Sequence, residues 1–269
     1  MAHDVRARRN DVMIAWSGIR KSQPALSGSQ RFERKFYLPS SAVPFAAHLL
    51  AHCCPADRRY ARGTIHSVYY DTDNLDYYDE SEQGQRIRNK VRVRWYDDSH
   101  NADTVPVFIE LKSKNGFAGS KQRKQHVVSA QRLAMPALRH GPIPYTHVVN
   151  ALAEFDYHPH NQLHPMLLIT YQRLRFVDPL TGSRISLDWN IRSTLVYPLL
   201  NRGEQSLTME GAVIEIKGPS NEIPLTLHSL HLLDTDWSRY SKYATCMQSQ
   251  LEKTGSFGRL LPSGRGENS

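Results

Sequence analysis

In the stretch QRIRNKVRVRW a cation stands at every second residue, as Arg86, Arg88, Lys90, Arg92 and Arg94, with Ile87, Asn89, Val91, Val93 and Trp95 between them. Shorter runs repeat the spacing with carboxylates included: Glu33 and Lys35; Glu110, Lys112 and Lys114; Arg173 and Arg175; Arg184, Ser186 and Asp188; Glu215 and Lys217. Side chains two apart share one face of a strand, so each run makes a charged face backed by a mainly apolar one. Forked guanidinium groups grip phosphate oxygens in pairs, and carboxylate oxygens are the ligands a hard divalent cation takes. The chemistry these types can supply together is the holding of a chain of phosphates beside a metal ion.

The elements that must position these residues are strands. Taken alone, the five-cation stretch also suits a solvated edge strand that uses like charge to refuse partners. Its neighbours argue for more. Between Arg31 and Gly218 about eight strand candidates can be counted, and their polar faces carry Arg, Lys and Glu with few of the Thr, Ser and Gln residues of a generic wet surface. The opposite faces carry Phe32, Phe36, Trp95, Phe108, Leu174, Phe176 and Trp189, which need a cover that helices provide. The fold expected is α+β: a closed antiparallel eight-stranded β-barrel tunnel, charges inside, helices packed outside and a C-terminal helix near one mouth. Crowded cations cannot neutralise one another in such an interior, so the missing partner is an anion slim enough to thread it. Helices are expected over residues 43–54, with Ser40 or Ser41 as cap, over 130–140 with a break at Pro136, over 144–155, and over 236–255 with Asp236 or Ser238 as cap.

The chain has 269 residues and a formal charge of +8, which points to an anionic partner. A basic tail at 1–30 and a Gly/Ser-rich tail at 255–269 read as disordered, leaving one domain at 31–254. Three cysteines give no disulfide framework and suit a reducing, cytoplasmic compartment. No apolar run is long enough to cross a membrane, so coupling to one would take a separate partner. His48, His52, Cys53 and Cys54, and likewise His158, His160 and His164, match no zinc spacing and read as packing and loop residues. Nucleic acid is not expected, because Trp95, Phe176 and Trp189 fall opposite the charges and leave no stacking face.

An ordered set of motifs, FERKF, YYDT, RNKVRVRWY, IELKSK, YQRLRF, RISLDW, VIEIKG and RYSKY, resembles the triphosphate tunnel metalloenzymes, and within them the VTC (vacuolar transporter chaperone) polyphosphate polymerase domain. The set runs over about residues 31–250. The resemblance implies an antiparallel tunnel, a nucleoside triphosphate at one mouth, Mn²⁺ or Mg²⁺ as cofactor, and transfer of the terminal phosphate of ATP to a growing polyphosphate chain or orthophosphate. Carried over residue by residue, it implies phosphate binding by Lys35, Arg92, Arg94, Lys112, Arg173 and Arg184, with Lys90 on the same face. Glu215 becomes the metal-holding carboxylate, with Glu33 and Glu110 as helpers. Lys217, Ser241 and Lys242 fall near the far phosphates, and Arg239 stands where a lysine is more usual. Arg92, Arg94, Lys112, Arg173 and Lys217 are the expected catalytic group. The hydrolase branch opens with Glu-x-Glu-x-Lys, whereas here the first position is Arg31, a departure that lowers the weight of a triphosphatase reading. A triphosphatase on the same tunnel and a non-catalytic polyphosphate or RNA binder are the alternatives.

Overall fold

Each charged run forms a strand, because alternating branched or aromatic residues bury one face while the charged face stays out of the core. The computed structural model describes residues 32–97, 103–116, 118–200, 206–233 and 240–254. In chain order it comprises β1 (Phe32–Leu38), α1 (Val43–Cys53), β2 (Arg62–Asp71), α2 (Asp76–Glu82), β3 (Ile87–Tyr96), β4 (Thr104–Asn115), β5 (Ala118–Ser129), α3 (Tyr145–Glu154), β6 (His164–Val177), β7 (Arg184–Leu195), β8 (Ser206–Thr208), β9 (Ala212–Gly218) and α4 (Lys242–Thr254). All strand pairs are antiparallel, in the order β1-β9-β7-β6-β2-β3-β4-β5, with β8 beside β7.

The expected closed barrel is corrected by this order. Among the described residues β1 and β5 end the sheet and do not pair with each other, so the sheet is a curled half-barrel, open along one side. Alternation tells which face a side chain takes, but closure also demands a matched tilt and stagger around the whole ring. β5 works against it: Lys121 and Arg123 on one face and Gln122 and Lys124 on the other leave it largely exposed, and charge on an edge strand opposes pairing.

Helices do cover the convex face. Phe36, Leu38, Phe176, Ile185, Ile214 and Ile216 pack under α1 and the 3-10 segment Leu225–Leu233. Val107, Ile109 and Val68 pack with Val148, Ala151 and Leu152 of α3. Each large side chain so buried contributes about 1.5–3 kcal/mol of transfer free energy. α4 crosses one end of the hollow, where the Tyr243 ring stacks 4.9 Å from Tyr69 and its hydroxyl donates to Asp71 Oδ2 at 2.6 Å.

Several local expectations change. Ser40 does not cap α1: it begins a 3-10 turn, and its Oγ accepts the Gly211 N–H at 2.8 Å, while proline in the first turn fixes the helix start. Residues 130–140 form two 3-10 turns, Ala130–Leu133 and Ala137–His140, on either side of Pro136, in place of a helix. Phe108 belongs to the concave face, being two residues from Glu110, and the Arg123 guanidinium lies 3.4 Å from its ring centroid. β8 and the Leu225–Leu233 segment were not expected, although Leu227, Leu230 and Leu233 recur at the three-residue period of a 3-10 helix and are the residues it buries. Asp236, Ser238 and both expected tails lie outside the described residues.

Candidate anion-binding site

Two walls and a floor line the hollow. On the first wall, β1 and β9 set Lys35 opposite Glu215 and Glu33 opposite Lys217. Lys35 Nζ lies 3.0 Å from Glu33 Oε1 and donates to the Tyr240 carbonyl at 3.2 Å. Lys217 pairs with Glu215 and stands 3.8 Å from Glu33 Oε2. Arg184 faces Lys217 across β7 and β9 and is exposed, at the rim. On the floor Arg173 forks onto Asp188, its Nε 2.5 Å from Oδ1 and its Nη2 2.6 Å from Oδ2. Lys242, at the start of α4, reaches the same Oδ2 at 2.6 Å.

The second wall is β3 with β4 and β5. Arg92 forks onto Glu110 Oε2 through Nε at 2.8 Å and Nη2 at 2.6 Å, and its Nη1 donates to the Tyr69 hydroxyl at 3.0 Å. Lys121 takes Glu110 Oε1 at 2.6 Å, with Arg123 at 3.5 Å. Arg94 donates to two hydroxyls, Ser67 at 3.0 Å and Tyr171 at 3.1 Å. Lys90 donates to Ser241 Oγ at 2.9 Å. That oxygen also accepts the Ala244 N–H at 3.3 Å, so Ser241 caps α4 at the edge of the hollow. Among the described residues, no carboxylate lies within ion-pair distance of Lys90, Arg94 or Lys112.

The electrostatics divide in the same way. Burial alone would raise the Glu33 carboxyl, and Glu215 adds to that, yet Lys35, Lys217 and Lys112 hold it down at about 2. Glu215 lies well below the ordinary carboxylate range, with Lys217, Lys35, Arg173 and Lys112 overcoming its burial. Asp188 and Glu110 are held ionised against burial by their own cations. On the second wall burial, joined by Lys35, Arg88 and Arg92, pushes the Lys90 ammonium down to about 7. Burial also brings Lys112 down to about 7, with Glu33 only partly offsetting it.

The carboxylates test the fit of a metal. Glu33 and Glu215 sit on adjacent strands, ionised, with hard oxygen donors, a set that suits Mg²⁺ or Mn²⁺ completed by water and substrate oxygens. Glu110 does not join them: its oxygens are engaged by Arg92 and Lys121, and no three metal-ligating side chains converge among the described residues.

Of the residues singled out in the sequence, Lys35, Lys90, Arg92, Arg94, Lys112, Arg173, Lys217, Ser241, Lys242, Glu33, Glu110 and Glu215 line the hollow or border it. Arg184 stands at the rim, and Arg239 lies outside the described residues. Sequence reasoning gave no role to Asp188, fully buried between two cations, or to the hydroxyls of Ser67, Tyr69 and Tyr171. It also passed over Lys121 and Arg123. Second-neighbour spacing carried the signal for Asp188 beside Arg184 and for Lys121 beside Arg123.

Fold and site together define a protein built around a curled antiparallel sheet with cations and carboxylates on its concave face. The VTC domain signature matches residues 30–251, and the chain belongs to the VTC domain family. Among solved structures, a proposed adenylate cyclase of Bacillus halodurans aligns with a TM-score of 0.44 at 17% identity, over 88% of this chain and 96% of that one. A second proposed adenylate cyclase, from Vibrio parahaemolyticus, aligns with a TM-score of 0.41 at 11% identity, over 82% and 99%. At these scores neither carries an argument about function. No curated protein matches the chain.

Proposed function

We propose that the domain is a polyphosphate polymerase, passing the γ-phosphoryl group of ATP to orthophosphate or to the end of a polyphosphate chain with Mn²⁺ or Mg²⁺ as cofactor. The observation that supports this reading most is the surplus of cation on the second wall, where Lys90, Arg94 and Lys112 face the hollow without carboxylate partners among the described residues. Charge sunk in a fold without a partner is costly, so a polyanion completes the site.

In this reading Arg92, Arg94, Lys112, Arg173 and Lys217 hold the oxygens of the phosphoryl group in transfer. Lys35, Lys90, Arg184, Arg239, Ser241 and Lys242 hold the flanking phosphates. Glu215 and Glu33 would hold the divalent cation, which would supply positive charge to offset that on the phosphoryl oxygens. Glu110 orients Arg92, and Asp188 orients Arg173 and Lys242. The attacking oxygen belongs to a terminal phosphate that is already anionic, so the protein need not remove a proton from it. A bond forms from that oxygen to the γ-phosphorus, the bond to the β–γ bridging oxygen breaks, and ADP departs; the protein's contribution is alignment and charge.

Incubation with ATP and Mn²⁺, followed by sizing of the product, tests this. Long-chain polyphosphate is expected. Orthophosphate as the only product would move the assignment to a triphosphatase, and metal-independent RNA binding without turnover would move it to a binder. No helix of the described residues is long and apolar enough to cross a membrane, and a membrane translocator in this reading is a separate partner. The free thiols of Cys53, Cys54 and Cys246 fit a reducing cytoplasm.

A further inference from the structure

The sheet order leaves one free edge on β1 and one on β5, and these edges flank the open side of the hollow among the described residues. Cations stand along that side. β5 carries Lys121 and Arg123, whose side chains are 42% and 38% exposed, and both turn inward to Glu110. β4 carries Lys112, and β1 carries Lys35 with Glu33. Over residues 119–126 β5 is polar on both faces and largely exposed, and charge on an edge strand opposes pairing.

We propose that the domain takes hold of an inorganic polyphosphate chain from the side, through the seam between β1 and β5, and so binds interior stretches of the chain without requiring a free end to thread. This rests on the reading of the hollow as a phosphate-chain site. A closed ring of strands admits a long polymer only end first, whereas a sheet with two free edges has no such topological barrier. Condensed phosphate suits this entry: it is unbranched, carries charge along its whole length and has no side groups to clear the edges. Lys121 and Arg123, half in water, are the first cations it meets, and Lys112 lies behind them on the next strand.

The test is competition for the hollow by a long linear polyphosphate whose two terminal phosphates carry biotin, with and without streptavidin bound to both. The readout is displacement of a fluorescently labelled tripolyphosphate from the intact protein. Lateral entry predicts that the streptavidin-blocked chain competes within about twofold of the unblocked one. A loss of about tenfold or more on blocking overturns the proposal in favour of end-first threading. If tripolyphosphate binds but neither long chain displaces it, the proposal also falls, while the triphosphate site stands. If the labelled tripolyphosphate itself does not bind, the underlying reading of the hollow fails and takes the proposal with it.

Discussion

The wall built by β1 and β9 and the wall built by β3 and β4 hold the same residue types, yet one is balanced and the other is not. On the first, Glu33, Lys35, Glu215 and Lys217 alternate in sign across the strand pair, and each charge has an opposite neighbour. On the second, among the described residues, Glu110 is the carboxylate within ion-pair distance of Arg92 and Lys121, and none lies within that distance of Lys90, Arg94 or Lys112. A balanced wall can exchange a lysine contact for a metal ion at little cost. The unbalanced one is the wall proposed to take the anion, and burial pushes the Lys90 and Lys112 ammonium groups down to about 7.

The contrast can be broken from either side. Glu215→Gln on the balanced wall removes the charge of the carboxylate proposed to hold the metal while keeping the shape, and ADP release should fall on the order of a hundredfold or more. A rate within about twofold of the parent would remove Glu215 from the site. On the unbalanced wall two arginines should behave differently. Arg92→Ala leaves buried Glu110 short of its main partner, and the unfolding free energy in urea should drop by about 3 kcal/mol together with activity. Arg94→Ala gives up only hydroxyl contacts, so the affinity for tripolyphosphate should fall about tenfold or more while stability changes little. Equal stability losses in the two variants would contradict the distinction drawn between the arginines.

Filling the hollow should also show directly in stability. At about a hundred times its dissociation constant, tripolyphosphate is expected to add about 2.7 kcal/mol, read as a raised thermal midpoint, with the gain shrinking in high salt. No shift at any salt concentration would mean that the wall does not bind phosphates. The smallest effect is at Lys90. Its folded pKa of about 7 lies below its ordinary value of 10.5, so the cost of its charge is present in full below pH 7 and is relieved as pH rises towards 10.5. Lys90→Met should therefore stabilise the ligand-free protein by about 1 kcal/mol at pH 6, with the gain vanishing near pH 10. A gain that grew with pH would reverse the assigned direction.

Much of this arrangement was legible in the chain. Second-neighbour spacing placed Arg92 and Arg94 on one face and Val91 and Val93 on the other, and the structure agrees residue by residue. The same parity placed Phe108 with Glu110, and its size alone had suggested the core. What spacing could not supply was the relation between distant strands. Whether Glu110 turns to a metal or to Arg92 depends on β5 delivering Lys121, 11 positions along the chain. Closure likewise depends on how β1 and β5 meet, and no local pattern records that. Asp188 was visible as a charge on the right face, but its partners come from β6 and α4, so its part in orienting Arg173 and Lys242 could not be read beforehand.

α4 is fastened to the sheet at three separated points: Lys242 to Asp188, Tyr243 to Asp71, and Gln250 to the Ser193 carbonyl at 2.8 Å. All three anchors lie on strands synthesised before it. A nascent chain therefore exposes Asp188, Asp71 and Ser193 before the helix that covers them has been made, and the groove is closed at that end only when α4 docks. Assembly of the binding hollow is thus a late event in the life of the polypeptide, separable in time from formation of the sheet that carries most of its cations.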